Sequence, residues 1–99
     1  MPGNKIKWYV SARKQYLDAL EYIRNDTEQN AEKFYEKLYL KLEVVSRNPE
    51  SCAPDKFKVT NDGSYRAFNL YKYRISYRVK GNEIRILRFR HSSMKPKYF

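Results

Sequence analysis

The run Tyr73-Arg74-Ile75-Ser76-Tyr77-Arg78-Val79-Lys80, then Gly81-Asn82, then Glu83-Ile84-Arg85-Ile86-Leu87-Arg88-Phe89-Arg90-His91, describes a β-hairpin. In its first half Tyr73, Ile75, Tyr77 and Val79 alternate with Arg74, Ser76, Arg78 and Lys80. That period of two gives one strand an apolar face and a cationic face. Gly81-Asn82 is a two-residue connection of the kind that closes tight hairpins, because both residue types tolerate positive φ. In the second half the alternation breaks. Ile84 and Ile86 share one parity, while Leu87 and Phe89 share the other with Arg85 and His91. The face seen by His91 is therefore left open by the sequence. Residues Tyr65–Leu70 read as a third strand ahead of the hairpin. On this reading Ile75, Tyr77 and Val79 face a helical layer, and Arg74 and Arg78 face away from it.

Upstream, Lys5 to Val10 reads as a first strand with Ile6, Trp8 and Val10 on one face. Ser11 then offers a hydroxyl to cap a helix. That helix places Ala12, Tyr16, Ala19, Leu20 and Ile23 on one stripe. Asn25-Asp26-Thr27 ends it with turn formers, and Thr27 or Asn30 caps a second helix. The second stripe is Ala31, Phe34, Leu38, Leu42 and Val45. Pro49 stops it, because the residue before a proline is pushed out of the helical region. Two helices joined so closely form an antiparallel hairpin. From Pro49 to Ser64 there is no sustained period, and Asn61-Asp62-Gly63 marks a turn. Within that loop Lys56 and Lys58 flank Phe57. In an extended segment this spacing aims both lysines at one anion; in a mobile, solvated loop it aims them nowhere. The class is α+β: an N-terminal strand, an antiparallel two-helix hairpin, then a three-stranded antiparallel sheet, all in one domain over residues 1–99.

The length of 99 residues permits one modest core and no second domain. The net charge of +10 is unevenly placed. Residues 1–50 carry 9 Lys/Arg against 8 Asp/Glu, and residues 51–99 carry 12 against 3. Nearly all the excess lies in the half that holds the hairpin, and a field of one sign attracts polyanions. No run of about 18 apolar residues predicts a membrane span, and the start Met1-Pro2-Gly3-Asn4-Lys5 lacks the apolar segment of a leader. The lone Cys52 has no partner for an internal disulfide, which fits a reducing cytoplasm. One histidine and one cysteine make no transition-metal cluster. The scattered Gly3, Gly63 and Gly81 make no phosphate loop. Nothing marks an activated serine. No metal or cofactor is expected.

What remains is a set of groups suited to phosphate: Arg66, Arg74, Arg78, Arg88, Arg90 and His91, with Lys56, Lys58 and Tyr98. Guanidinium groups fork onto phosphate oxygens and stay charged at any working pH. Histidine transfers protons near neutrality, and tyrosine stacks on unpaired bases. RNA brings its own nucleophile, the 2′-hydroxyl, so its cleavage needs only a base, an acid and cations around one phosphate. Arginines on an open sheet face bind nucleic acid without chemistry just as easily.

Several motifs carry a resemblance. They are Ala31-x-x-Phe34 and Leu38 leading to Asn48-Pro49, then Tyr65-Arg66-x-Phe68, Tyr73-Arg74-Ile75-x-Tyr77-Arg78-Val79 and Ile84-Arg85-Ile86-Leu87-Arg88-Phe89-Arg90-His91. In this order, over nearly the whole chain, they resemble the RelE/ParE superfamily of toxins from bacterial type II toxin–antitoxin pairs. The resemblance implies two activities, mRNA cleavage being the expected one and gyrase inhibition its alternative. RelE-like members cut mRNA in the ribosomal A site without a metal; ParE-like members poison DNA gyrase and are not hydrolases. A member that only binds its antitoxin is a third form. On the RelE-like reading Arg74 stabilises the phosphorane and Arg66 holds the neighbouring phosphate. His91, if it reaches the open face, protonates the leaving 5′-oxygen, and Lys56 or Lys58 supplies the base. Lys56, Lys58, Arg78, Arg88 and Arg90 bind substrate, Tyr98 stacks on a base, and Arg74→Ala leaves the melting temperature nearly unchanged. Phe68 stands where that branch has a second basic residue, and Ser92 or Ser93 where it has an arginine. The implied partners are an antitoxin with an acidic segment and the ribosome with its mRNA, or DNA gyrase.

Overall fold

The computed structural model describes residues 3–99, so the Met1-Pro2 start considered above lies outside it. Strand β1 (Lys5–Trp8) leads into α1 (Val10–Asp26) and α2 (Glu28–Arg47). A loop then reaches β2 (Tyr65–Leu70), β3 (Tyr73–Lys80) and β4 (Glu83–His91). The architecture is the expected α+β, with one addition. The N-terminal strand joins the other three, giving the order β1-β4-β3-β2, and it runs parallel to β4 from Lys5↔Glu83 to Trp8↔Ile86. The sheet is therefore mixed, because the helical hairpin carries the chain back to start the remaining strands on the far side of β4.

Helix α1 begins earlier than Ser11. The Tyr9 N–H donates to Ile86 O at 3.0 Å, which holds the chain to the sheet up to that residue. Tyr9 then occupies the cap position without a side-chain bond, and Ser11 falls inside the first turn. Val10 is accordingly helical and 88% exposed rather than on the strand's inner face. At the other end Thr27 serves both helices. Its N–H donates to Ile23 O at 3.1 Å, closing α1, and its Oγ1 accepts from Asn30 N at 3.0 Å, opening α2. A single extended residue thus makes the turn. Asn48 caps α2 by donating to Val44 O at 2.8 Å, just ahead of Pro49.

The α2 stripe of Ala31, Phe34, Leu38, Leu42 and Val45 is buried throughout. From Phe34 onward it joins Ala12 and Ala19 of α1 and the sheet residues Phe68, Ile75, Tyr77, Ile84, Ile86 and Phe89 in one core. Val79 is partly buried against it. The parity assigned to β3 therefore holds. On β4 the register slips once: Tyr77 pairs with Ile86 and Ser76 with Arg88, leaving Leu87 without a partner. This bulge turns the rest of β4 by one residue. Ile84, Ile86 and Phe89 consequently share the helix-facing side although their spacing in sequence does not alternate.

Of the two hairpin-turn residues only Gly81 takes positive φ, at 61°, so glycine's freedom is needed at the first position alone. Tyr71, in the β2–β3 turn, is the other left-handed residue that matters, at φ 53°. Its ring lies 5.7 Å from that of Phe34, and that packing offsets a backbone cost of about 1–2 kcal/mol.

Ile75→Ala removes a fully buried side chain from the middle of this layer and is expected to lower the unfolding free energy by about 2–5 kcal/mol. Thr27→Ala is expected to cost about 1 kcal/mol through the lost cap. Urea unfolding measures both, and an Ile75→Ala loss no larger than that of Thr27→Ala would mean the faces of β3 are assigned the wrong way round.

Candidate functional site

Residues directly opposite in neighbouring strands share a face, so the register lays out the open side of the sheet. Three rows cross it: Asn69, Arg74 and Arg90; Ala67, Ser76 and Arg88; Tyr65, Arg78 and Arg85. Like charges directly opposite repel, and each arginine turns to a partner of its own. Arg74 Nη2 reaches Asp55 Oδ1 at 2.8 Å, and its guanidinium lies 4.7 Å from the Phe57 ring centre. Arg78 stacks on Tyr65 at 4.7 Å and donates to Ser64 Oγ at 3.3 Å. Arg85 bonds Glu83 at 3.1 Å, a carboxylate that Lys7 reaches at 3.0 Å. Those two cations hold the Glu83 carboxyl below its usual range, Lys7 contributing most. Arg88 donates to Lys97 O at 2.6 Å and stacks on Phe99 at 4.2 Å, and Arg90 donates to Lys95 O at 3.3 Å. Burial first, and the charge of Arg90 second, push the Arg88 guanidinium below its ordinary range.

Arg66 and His91 lie on the other side. Arg66 pairs with Tyr77, in the helix-facing set. Its guanidinium donates to Cys52 O at 2.6 Å, Gly63 O at 3.2 Å and Glu50 O at 3.3 Å, tying both ends of the loop to β2. The Tyr77 hydroxyl makes a similar tie to Pro49 O at 2.8 Å. Burial, then the neighbouring Cys52, push that hydroxyl far above the usual phenol range, so it remains a donor. His91 pairs with Tyr73, and the two rings meet edge to face at 5.1 Å. Its Nδ1 accepts from Ser93 N at 3.0 Å, which places the ring proton on Nε2. The bulge at Leu87 is the cause: it turns His91 onto the helix-facing side.

The lysines are not aimed at a common anion. Asp55 Oδ1 accepts from Phe57 N at 3.0 Å and Asp55 O from Lys58 N at 3.2 Å, so the segment is a turn and not an extended strand. Lys56 Nζ lies over Phe57, while Lys58 Nζ lies over Tyr65 at 4.8 Å and donates to Phe99 O at 3.2 Å. Tyr98 sits with its ring 5.5 Å from that of Phe57 and is 64% exposed. Of the nine residues singled out from sequence, Arg74, Arg78, Arg88 and Arg90 share the open face, with Lys56, Lys58 and Tyr98 at its loop and tail edges. Arg66 lies across the sheet from them, while His91, its ring against Tyr73, also borders the open-face cavity from the end of β4.

Sequence reasoning missed Asp55 and the tail. Asp55 is one of only three acidic residues after position 50, and it is 2% exposed beside Arg74. A solitary carboxylate in a strongly cationic half was the available signal. The tail crosses the open face and roofs a cavity of about 240 Å³ lined by Lys56, Arg74, Arg88 and Arg90. Among the described residues no three His, Cys, Asp or Glu side chains gather as metal ligands do, and no helix is long and apolar enough to cross a membrane.

Residues 6–96 match the family model described as the ParE toxin of the type II toxin–antitoxin system, parDE. The chain belongs to that family. A sequence comparison with curated proteins gives no match. Solved structures share the fold. One is the chromosomal ParDE toxin–antitoxin system of P. aeruginosa, at 23% identity and TM-score 0.63, covering 89% of this chain and 95% of that one. Another is the RelBE2 toxin–antitoxin complex of Mycobacterium tuberculosis, at 16% identity and TM-score 0.55, covering 92% and 93%. A third is a YoeB/ParE toxin from Agrobacterium tumefaciens, at 21% identity and TM-score 0.56, covering 88% and 96%. The likeness to these structures is one of fold.

Arg74 is the counter-charge of the buried Asp55, so its loss is now expected to lower stability rather than leave it unchanged. Arg74→Ala strands the buried Asp55 carboxylate without a counter-charge and is expected to cost about 3–5 kcal/mol. Adding Asp55→Asn should restore much of that loss. Thermal and urea unfolding of the single and double variants measure the coupling, and purely additive costs would mean that the pair carries no weight.

Proposed function

We propose that this toxin acts by binding rather than by cutting RNA, and that its target is the DNA gyrase of its cell. The observation that carries this reading is that Arg74, Arg66 and His91 are each engaged by partners of their own, with Arg66 across the sheet from Arg74. Cleavage by an internal 2′-hydroxyl needs acid, base and cations around one phosphate, within about 3 Å of the groups that exchange protons. Here Arg74 is held by Asp55, and Arg66 is spent on three loop carbonyls. His91 Nδ1 is taken by the main-chain N–H of Ser93. An open face of arginines interleaved with aromatics retains what binding requires, and membership of the ParE toxin family agrees with a non-hydrolytic mode. Two of the structural neighbours are described as a toxin–antitoxin system and a toxin–antitoxin complex. By that likeness this toxin has an antitoxin. The excess of cations after position 50 suits an acidic segment in it.

Expression of the toxin is expected to induce the DNA-damage response before protein synthesis falls, and purified toxin should stall gyrase while leaving A-site mRNA intact. His91→Gln should keep full toxicity. The opposite outcome is specific. Fragments ending in 2′,3′-cyclic phosphate, together with a single-turnover rate on programmed ribosomes lowered about 10²–10⁴-fold by His91→Gln, would establish the mRNA-cleaving reading instead.

A further inference from the structure

A second cavity, of about 870 Å³, lies between the turn of the helical hairpin and the turn that joins β2 to β3. Of its lining only His91 also borders the open-face cavity. Its volume falls in the range of small-molecule sites, roughly 300–1,000 Å³. The walls are aromatic. Phe34 is buried, its ring 5.7 Å from that of Tyr71 and 5.4 Å, edge to face, from that of Tyr73. Tyr22, on α1, and Tyr71, in the β2–β3 turn, stand 73% and 60% exposed. Tyr71 is the informative one. Both hairpin turns set their first residue at positive φ, 61° at Gly81 and 53° at Tyr71. Glycine adopts that conformation freely, and tyrosine does not. Contact with Phe34 offsets the cost yet leaves most of Tyr71 open, and strained residues of this kind gather at ligand clamps. The charged lining is Asp26, Lys33 and Lys72. Among the described residues none of these three forms an ion pair.

We infer that this cavity is a binding site for a free purine mononucleotide. The aromatic walls give the base: a planar ring entering between Tyr22 and Tyr71 stacks on exposed phenol faces, as bases do on aromatic side chains. The lysines give the phosphate: Lys33 and Lys72 outnumber the one carboxylate, and an ammonium binds phosphate as a point charge. Asp26 gives the choice of base. An ionised carboxylate only accepts hydrogen bonds, and the amino groups of adenine and guanine donate them. Uracil has no amino group, and its single ring covers less of two tyrosines. Burial first, and the Tyr22 phenol second, raise the Tyr73 hydroxyl above its ordinary range, so it stays a donor for a ribose or phosphate oxygen. None of the open-face arginines lines the cavity, so the inference stands whichever target the toxin acts on.

The test uses the full chain with AMP, compared with adenosine, UMP, inorganic phosphate and a short oligoadenylate. AMP should bind more tightly than adenosine, UMP or phosphate. Tyr71→Gly removes the ring while relieving the backbone, so it should fold, as its melting curve records, and lose about tenfold in AMP affinity. Tyr71→Phe keeps the ring and should keep the affinity. Lys33→Gln with Lys72→Gln should bring AMP down to the affinity of adenosine and leave adenosine itself unchanged, a split that unfolding would not produce. On the unaltered chain, NMR saturation transfer from the adenine protons of AMP should reach the rings of Tyr22 and Tyr71. Transfer to Phe57 and Tyr98 on the open face instead, a Tyr71→Gly affinity equal to that of the original chain, or phosphate bound as tightly as AMP would each overturn the assignment. So would oligoadenylate reaching Tyr22 and Tyr71 at lower concentration than AMP, which would make the ligand an RNA strand and not a free nucleotide.

Discussion

Leu87 has no partner on β3, and every residue of β4 beyond it is turned by one position as a result. Without that extra residue Phe89 would face solvent and Arg88 would face the helices. Phe89 instead closes the core, with its ring 5.4 Å from Tyr16, 5.9 Å from Phe34 and 5.3 Å from Tyr73. A one-residue slip exchanges the two faces of a strand completely, so the bulge distributes chemistry as well as packing. It sends Arg88 and Arg90 to the open side and His91 to the helix-facing side. The site's inventory therefore follows from a packing requirement at Phe89.

The same strands are bound to the long loop from both sides. On the helix-facing side Arg66 and the Tyr77 hydroxyl collect main-chain carbonyls of residues 49, 50, 52 and 63. On the open side Arg74 takes the carboxylate of Asp55, whose second role is to shape the turn through Phe57 N. The loop lacks regular structure except for the bridge between Pro54 and Arg66, so its main-chain groups need such partners wherever water is excluded. Two arginines one strand apart thus look alike in composition and do opposite-sided structural work. A guanidinium presents five donors in a rigid fork, which suits it to hold a loop as well as a phosphate.

This explains what the sequence could and could not reveal. The α2 stripe from Ala31 to Val45 was legible because a 3.6-residue period over about four turns admits one buried face. The parity of β3 was legible because four apolar residues alternate without a break. The faces of β4 were not, since a bulge leaves no composition signal beyond the doubled apolar pair at Ile86-Leu87. The start of α1 was misplaced because the Tyr9–Ile86 bond outweighs the capping preference of Ser11. Arg66, Arg74 and His91 looked like one cluster because sequence conveys residue type and not side of sheet. The pairing of Phe99 with the loop lies further still from any local signal, since it joins residues 40 apart.

Satisfying hydrogen bonds is a different matter from cancelling charge, and the distinction governs how this face behaves at a distance. Arg66, Arg88 and Arg90 are bonded to neutral carbonyls, and Arg78 to a hydroxyl and an aromatic ring. Among the open-face arginines only Arg74 and Arg85 meet carboxylates. Local contacts therefore hold the side chains in place while leaving most of their field intact. At physiological salt that field decays over about 8 Å, far enough to draw a polyanion to the surface and too short to choose among polyanions. Selection has to come from shape at contact.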